Sequence, residues 1–206
     1  MTTFWAKVPQ FQDVTADNTL VLEPYLQAAE GATTIFALFG AAFSPLKTDM
    51  MGNIKKLRLR NETDKEKFTS VNAILQDEKD NKTSKEGQTG ALWLTRALVF
   101  IEKLLIHLVD SVRKEPNEEK FRPIFLKAYD ETLKPYHGMI TKTLVSTVSR
   151  AAPNRPEMMK KLALDQEGMD EQVIKDIELY LVNLTKTNEL AVKILKDNGF
   201  YSQEAV

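Results

Sequence analysis

The stretch FSPLKTDMMGNIKKL, residues 43–57, sets the pattern from which the rest of the chain can be interpreted. Asp49, Asn53 and Lys56 lie four and three residues apart, so at about 100° per residue they share one stripe of a helix. An apolar stripe runs beside it and contains Leu46, Met50, Ile54 and Leu57. The segment therefore predicts an amphipathic helix with a carboxylate, an amide and an ammonium group in line. These groups suit a ligand covered in hydroxyl groups, although a solvated helix face would show the same spacing.

Apolar residues at helical spacing continue on both sides of this segment. Besides the helix that ends near Arg60, they predict helices over residues 21–39, 64–76, 89–112, 121–134, 135–152, 156–163 and 170–197. The polar run 77–88 has no period and predicts a loop. The helix at 89–112 is apolar around most of its circumference, which indicates a buried, central position.

The predicted fold class is all-α, with about eight helices packed in two layers around an apolar interior. Residues 1 to about 20 show no sustained period, and we expect an irregular arm whose Trp5 and Phe11 pack back onto the helices. No alternating run is long enough to indicate a sheet. We expect residues 1–206 to form a single domain.

Composition excludes several classes of function. A net charge of −1 gives no basic field for nucleic acid. The absence of cysteine excludes disulfides, thiolate metal sites and a cysteine nucleophile, and no metal or cofactor motif is evident. No segment approaches the roughly 20 apolar residues that span a bilayer. We therefore expect a soluble, cytoplasmic and monomeric protein.

Further segments follow the first in a characteristic order. They are LWLTRALVF at 92–100, KAYDETLKPYHG at 127–138 and RAAP at 150–153. Together with FSPLKTDMMGN they make the chain resemble the glycolipid transfer protein family, over about residues 21–201. The resemblance implies a two-layer helical sandwich whose layers part to admit a lipid, and non-enzymatic transfer of glycosphingolipids between membranes.

The resemblance also implies roles for individual residues at the mouth of a lipid pocket. Trp93, which by itself would be read as a core residue, would stack against the first sugar, while Asp49, Asn53 and Lys56 hold the sugar hydroxyls. His137, otherwise a structural histidine, would bond the carbonyl of the ceramide amide, and Asp49 would take the amide N–H.

Two more residues receive roles in the same way. Arg96 would brace Asp49, since a buried guanidinium needs a carboxylate partner. Tyr201 would lie near the pocket entrance, although a frayed chain end would explain it equally well. Candidates for the pocket lining are Phe36, Phe39, Leu92, Val145, Val148 and residues of the last helix, which would otherwise simply pack on one another.

Membrane contact would be transient. Some family members carry a tryptophan at the position of Met139, so docking here would be weaker or would rest on Tyr136, Met139, Ile140 and nearby lysines.

Other functions compete with glycolipid transfer. An enzyme could use Asp49 and His137 as an acid–base pair, but a glycosidase normally needs two carboxylates. A helical adaptor that senses glycolipid at a membrane would bind without transferring. Transfer of a sphingolipid phosphate would require more cations, whereas the neutral amide of Asn53 and the ring of Trp93 favour a sugar.

Overall fold

The computed structural model describes residues 2–12, 14–82 and 84–201, most of which are helical. The α-helices are α1 Phe4–Lys7, α2 Leu22–Thr33, α3 Ile35–Phe39, α4 Ser44–Glu62, α5 Val71–Asn81, α6 Glu86–Lys114, α7 Arg122–Thr132, α8 Met139–Val148, α9 Arg155–Leu162 and α10 Asp170–Asp197. Short 3₁₀ turns lie at Ala41–Phe43, Lys134–Tyr136 and Ser149–Ala151. The predicted all-α class is confirmed. Within the described ranges, none of the helices combines the length and apolar content needed to cross a bilayer.

Helix α6 lies at the centre of the fold, as its nearly continuous apolar surface predicts. It packs most extensively against α4, α7 and α10. Gly90 allows the approach of α4, because a Cβ atom there would lie 2.9 Å from the carbonyl oxygen of Asn53 and 3.1 Å from the Cβ of Lys56. The polar stripe of α4 is thereby held against the turn of α6 that precedes Trp93.

Charged side chains fix both ends of α6. At its N-terminus the buried carboxylate of Glu78 accepts the backbone N–H groups of Gly87 at 2.9 Å and Gln88 at 2.8 Å. At its C-terminus the guanidinium of Arg155 donates to the carbonyl oxygens of Ser111 at 2.8 Å and Glu115 at 2.7 Å. An anion at the start and a cation at the end both complement the helix dipole. Helix α6 is therefore a fixed frame for the residues it carries.

A cluster of phenylalanine rings fills the core between α3, α6 and α7. Phe39 lies 5.0 Å from Phe43 and 5.2 Å from Phe121, measured between ring centroids. Phe125 lies 5.2 Å from Phe100, in an edge-to-face arrangement. Such pairs are favourable beyond the area that they bury, which makes this part of the interior well packed.

The N-terminal arm is more regular than predicted. It contains the helical turn α1 and a hairpin in which β1, Thr15–Ala16, pairs with β2, Thr19–Leu20. The expected inward packing is confirmed, because the Trp5 ring lies 4.4 Å and the Phe11 ring 5.8 Å from the ring of Tyr180.

Some predicted boundaries were wrong. The helix expected over 21–39 divides at Thr34 into α2 and α3. The helix expected over 64–76 begins only at Val71, where the hydroxyl of Ser70 caps it by accepting the N–H of Ala73 at 3.1 Å. The predicted loop 77–88 is partly helical, since α5 continues to Asn81 and α6 starts at Glu86.

Candidate functional site

A cleft of about 460 Å³ opens between α4, α6, α7 and the segment from His137 into α8. This volume lies within the range of about 300–1,000 Å³ that is usual for ligand pockets. Its apolar lining includes Phe36, Met50, Phe100, Phe125, Leu133 and Val145. Its polar lining includes Asp49, Asn53, Lys56, Thr89, Tyr129, His137 and Thr141, and Trp93 also lines it. The cleft thus combines an apolar interior with hydrogen-bonding groups from several helices.

The polar stripe of α4 is ordered by its own hydrogen bonds. The buried side-chain amide of Asn53 donates to the backbone carbonyl of Asp49 at 3.1 Å and to its carboxylate oxygen Oδ2 at 3.4 Å. Loss of hydration in the cleft raises the pKa of Asp49, and the positive charge of Lys56 opposes this effect. The carboxylate is therefore oriented but incompletely compensated, a state that favours donors from a ligand.

Trp93 and His137 meet on the opposite side of the cleft. Their rings are stacked, with centroids 5.6 Å apart and 25° between the planes. Nδ1 of His137 lies 3.2 Å from the hydroxyl of Tyr129. Burial lowers the pKa of His137, and the charges of Arg96 and Lys142 lower it further. His137 is therefore a neutral imidazole at pH 7, which has one donor and one acceptor nitrogen.

Arg96 is buried and packs among aromatic rings next to the cleft. Its guanidinium carbon lies 3.6 Å from the ring centroid of Tyr136, 4.8 Å from that of Trp93 and 5.9 Å from that of Tyr201. Burial lowers the pKa of Arg96, while Tyr136 and Tyr201 raise it. These ring contacts indicate a second way in which Arg96 orders the site, by supporting Trp93. Bracing of Asp49 by Arg96 stays a prediction.

The structure brings together most of the residues singled out in the sequence. Asp49, Asn53, Lys56, Trp93 and His137 all line the cleft. Tyr201 is not among the lining residues of the described chain, but it reaches the site through Arg96 and Tyr136.

The cleft includes part of the predicted pocket lining. Phe36 and Val145 line the cleft, whereas Phe39, Leu92 and Val148 are not among its described lining residues. Phe39 is instead taken up by the phenylalanine cluster. Helix α10 contributes no described lining residue, because it packs elsewhere on α6, where Asn188 donates to the buried carboxylate of Glu102 at 2.7 Å.

Sequence reasoning missed Thr89, Tyr129 and Thr141. Thr89 stands one turn before Trp93 on α6, and that spacing was the available signal. Tyr129 lies on the inner face of its helix, where only the hydroxyl distinguishes it from a core residue. No group of histidine and acidic residues within the described ranges is arranged to hold a metal ion.

Comparisons with known proteins show the family to which the chain belongs. The family model described as "Glycolipid transfer protein (GLTP)" matches residues 20–164. The chain is 34% identical to the glycolipid transfer protein of Danio rerio over 185 residues, which cover 87% of this chain and 88% of the relative. It is 33% identical to that of Aureobasidium melanogenum over 193 residues, 91% of this chain and 87% of the relative. The chain belongs to the glycolipid transfer protein family, as the sequence resemblance predicted.

Solved structures show the same fold. HET-C2, a fungal glycolipid transfer protein, superposes with a TM-score of 0.80 at 32% identity, covering 92% of this chain and 94% of that one. The GLTP-fold structure of FAPP2, at 24% identity, gives a TM-score of 0.85 over the full length of both chains. Mouse ceramide-1-phosphate transfer protein gives 0.83 at 20% identity, covering 98% of this chain and 99% of that chain. The fold is thus shared by proteins that are associated with different lipids, glycolipids in two cases and ceramide-1-phosphate in the third.

Proposed function

We propose that this protein transfers glycosphingolipids between membranes without making or breaking a covalent bond. One observation carries the proposal: Asp49, Asn53 and Lys56 of α4, Trp93 of α6 and His137 before α8 line one cleft whose remaining walls are largely apolar. The names of its relatives support the same reading.

The headgroup would lie at the polar mouth. Trp93 offers a ring against which the C–H face of a sugar can stack, and Asp49, Asn53 and Lys56 offer acceptors and donors for its hydroxyls. Asp49 and His137 would hold the ceramide amide between them, the carboxylate accepting its N–H and the imidazole donating to its carbonyl. Tyr201 and Arg96 would support this arrangement from the side of Tyr136.

The apolar interior would shelter hydrocarbon. At about 0.8 kcal/mol per CH₂, moving one sixteen-carbon chain into water costs on the order of 13 kcal/mol, which makes spontaneous exchange very slow. A cleft lined by Phe36, Phe100 and Val145 lowers that cost during transit.

Docking to the membrane would use the start of α8. Met139 is 84% exposed and Ile140 is 88% exposed, and they lie two and three residues after the cleft residue His137. Large apolar side chains with this exposure favour contact with a lipid surface. Lipid would then pass between bilayer and cleft along a short path.

The alternatives have weaker support. A sphingolipid phosphate would bring its charge next to the carboxylate of Asp49, and Lys56 is the one cationic side chain among the described lining residues. Asp49 is likewise their one carboxylate, which leaves a glycosidase without its usual second group. A glycolipid-sensing adaptor fits the same cleft, and only a transfer measurement separates it from a carrier.

The deciding experiment measures movement of a fluorescent glucosylceramide from donor to acceptor vesicles. We expect the protein to accelerate transfer of this lipid, but not of phosphatidylcholine or ceramide phosphate, and to return it chemically intact. Binding without accelerated transfer would favour the glycolipid sensor. Faster transfer of ceramide phosphate would favour the phosphate carrier, and release of free sugar would favour the enzyme. A monomeric, cytoplasmic protein is part of the proposal, and ultracentrifugation and cell fractionation test it.

A further inference from the structure

Tyr129 is a polar residue of the cleft to which the proposed function assigns no contact with the lipid. It lies on the inner face of α7 and is only 4% exposed. Its hydroxyl lies 3.2 Å from Nδ1 of His137, and the ring centroids of the two residues are 5.6 Å apart. A buried phenol at hydrogen-bonding distance from a neutral imidazole restricts where the imidazole carries its proton.

The backbone fixes this pair. After α7 the chain turns through the 3₁₀ segment Lys134–Tyr136, in which the N–H of Tyr136 donates to the carbonyl of Leu133 at 3.0 Å. The ring of Pro135 limits the backbone of this turn. This turn places His137 next to the face of α7 that carries Tyr129.

The chemistry of the two groups determines the direction of their hydrogen bond. Burial and the charge of Asp130 raise the pKa of Tyr129 to about 12, so its hydroxyl keeps its proton. A phenol, with an ordinary pKa of about 10, is a stronger donor than the N–H of a neutral imidazole, and the unprotonated imidazole nitrogen is a stronger acceptor than a phenol oxygen. Tyr129 therefore donates to Nδ1, which leaves the imidazole proton on Nε2.

We propose that Tyr129 is a positioning residue: its hydroxyl holds His137 in the Nε2–H tautomer, so that the cleft presents a hydrogen-bond donor to the carbonyl of the lipid amide. This inference rests on the proposed function for the identity of the ligand, but the tautomer itself is a property of the free protein. The opposite tautomer would present an acceptor, which would repel the carbonyl and leave it unpaired. Asp49 already supplies an acceptor, so the Nε2–H tautomer makes the two sides of the amide site complementary.

Nitrogen-15 NMR of the histidine side chains tests the tautomer directly in the ligand-free protein. We expect Nε2 of His137 to show the shift of a protonated, pyrrole-type nitrogen and Nδ1 that of a bare, pyridine-type nitrogen. In Tyr129→Phe, which keeps the ring but removes the hydroxyl, this preference should weaken measurably. Tyr180→Phe, a buried tyrosine that packs on Trp5 and Phe11, is the matched control and should leave the tautomer unchanged. A proton on Nδ1 in the wild type, or an unchanged preference in Tyr129→Phe, would overturn the proposal.

A double-mutant cycle tests whether the effect reaches the ligand through His137. Tyr129→Phe should slow glucosylceramide transfer roughly fivefold to tenfold, about the worth of one hydrogen bond, and should have no further effect in a His137→Ala background. Equal losses in both backgrounds would mean that Tyr129 acts independently of His137. Absence of transfer by the wild type would instead refute the proposed function and leave the NMR result standing, so the two failures are distinguishable. Circular dichroism confirms that each variant is folded.

Discussion

The indole of Trp93 and the imidazole of His137 stack with their centroids 5.6 Å apart and their planes inclined by 25°. One ring is carried by the central helix α6 and the other by the turn before α8. In the proposed function, the first contacts the sugar and the second the ceramide amide. Because they touch, the headgroup site and the amide site form one unit, and a ligand that displaces either ring affects both.

Tryptophan fluorescence should report occupation of the cleft. Trp5 is 1% exposed and packs against Tyr180, so we expect its emission to stay constant while that of Trp93 changes as a sugar replaces water. Vesicles containing glucosylceramide should shift and quench the emission of the wild type, whereas pure phosphatidylcholine vesicles should not. The Trp93→Phe variant should lose this response. An equal response to both vesicle types would argue against contact between the sugar and Trp93.

Asp49→Ala should separate function from stability. Removal of the carboxylate leaves hydrogen-bond donors of the ligand unpaired, which costs about 1–3 kcal/mol of binding free energy. The rate of transfer should therefore fall roughly ten- to a hundredfold. Asp49 is exposed to solvent in the open cleft, so the loss of hydration that raises its pKa changes the free energy of unfolding only slightly. The melting temperature at pH 7 should therefore stay close to that of the wild type.

The control for this variant is Asp110→Ala, which removes an exposed carboxylate that pairs with Lys114 on the same helix. It should change neither transfer nor melting appreciably, since exposed ion pairs contribute little. Wild-type transfer by Asp49→Ala would show that the carboxylate is not a ligand contact.

Much of the site was predictable because it is local in sequence. The spacing of Asp49, Asn53 and Lys56 decides that they share a helix face, and the period of the flanking apolar residues decides that this face borders the core. The stacking of Trp93 on His137 was not predictable in the same way, since it joins separate helices whose crossing depends on the whole packing. Gly90, which allows α4 and α6 to approach closely, is a single residue with no periodic signal.

The prediction of a loop over 77–88 failed for a related reason. Its charged composition indicates solvent exposure, yet Asp77 and Glu78 are buried. Asp77 pairs with Arg60 of α4 and with Lys67, and these partners compensate its desolvation. The bond from Lys67 is the main cause that lowers the pKa of Asp77. Pairing across such a distance in sequence cannot be deduced from composition.

Membrane docking should depend on Met139 and Ile140. The double change to serine removes two exposed apolar side chains, each worth about 1.5–3 kcal/mol if fully buried in lipid, so vesicle binding should weaken at least about tenfold. Affinity for a short-chain, water-soluble glucosylceramide should stay unchanged, because the cleft is intact. Leu179→Ser is the matched control, since Leu179 is 66% exposed on α10. An equal loss of vesicle binding in the control would indicate nonspecific adsorption through exposed apolar side chains instead of a docking site.

His137 should make the protein less stable in mild acid. Burial lowers its folded-state pKa, so between that pKa and the unfolded value near 6.5 the unfolded chain binds more protons than the folded one. The contribution of the neutral ring to the free energy of unfolding is complete above about pH 6.5. It is lost as the pH falls through the folded-state pKa. Arg96 and Lys142 enlarge the effect, because they repel the imidazolium. Urea unfolding of the wild type and of His137→Gln at pH 7.5 and pH 5 measures it.

The wild type should lose more unfolding free energy than His137→Gln between these two pH values. The His107→Gln variant is the control for the other histidine, whose Nε2 lies 2.7 Å from a carboxylate oxygen of Glu131. Its free energy of unfolding is measured at the same two pH values. Parallel losses in the wild type and in His137→Gln would mean that His137 titrates equally in the folded and unfolded chains. In that case burial and the charges of Arg96 and Lys142 would not disfavour the imidazolium in the folded protein.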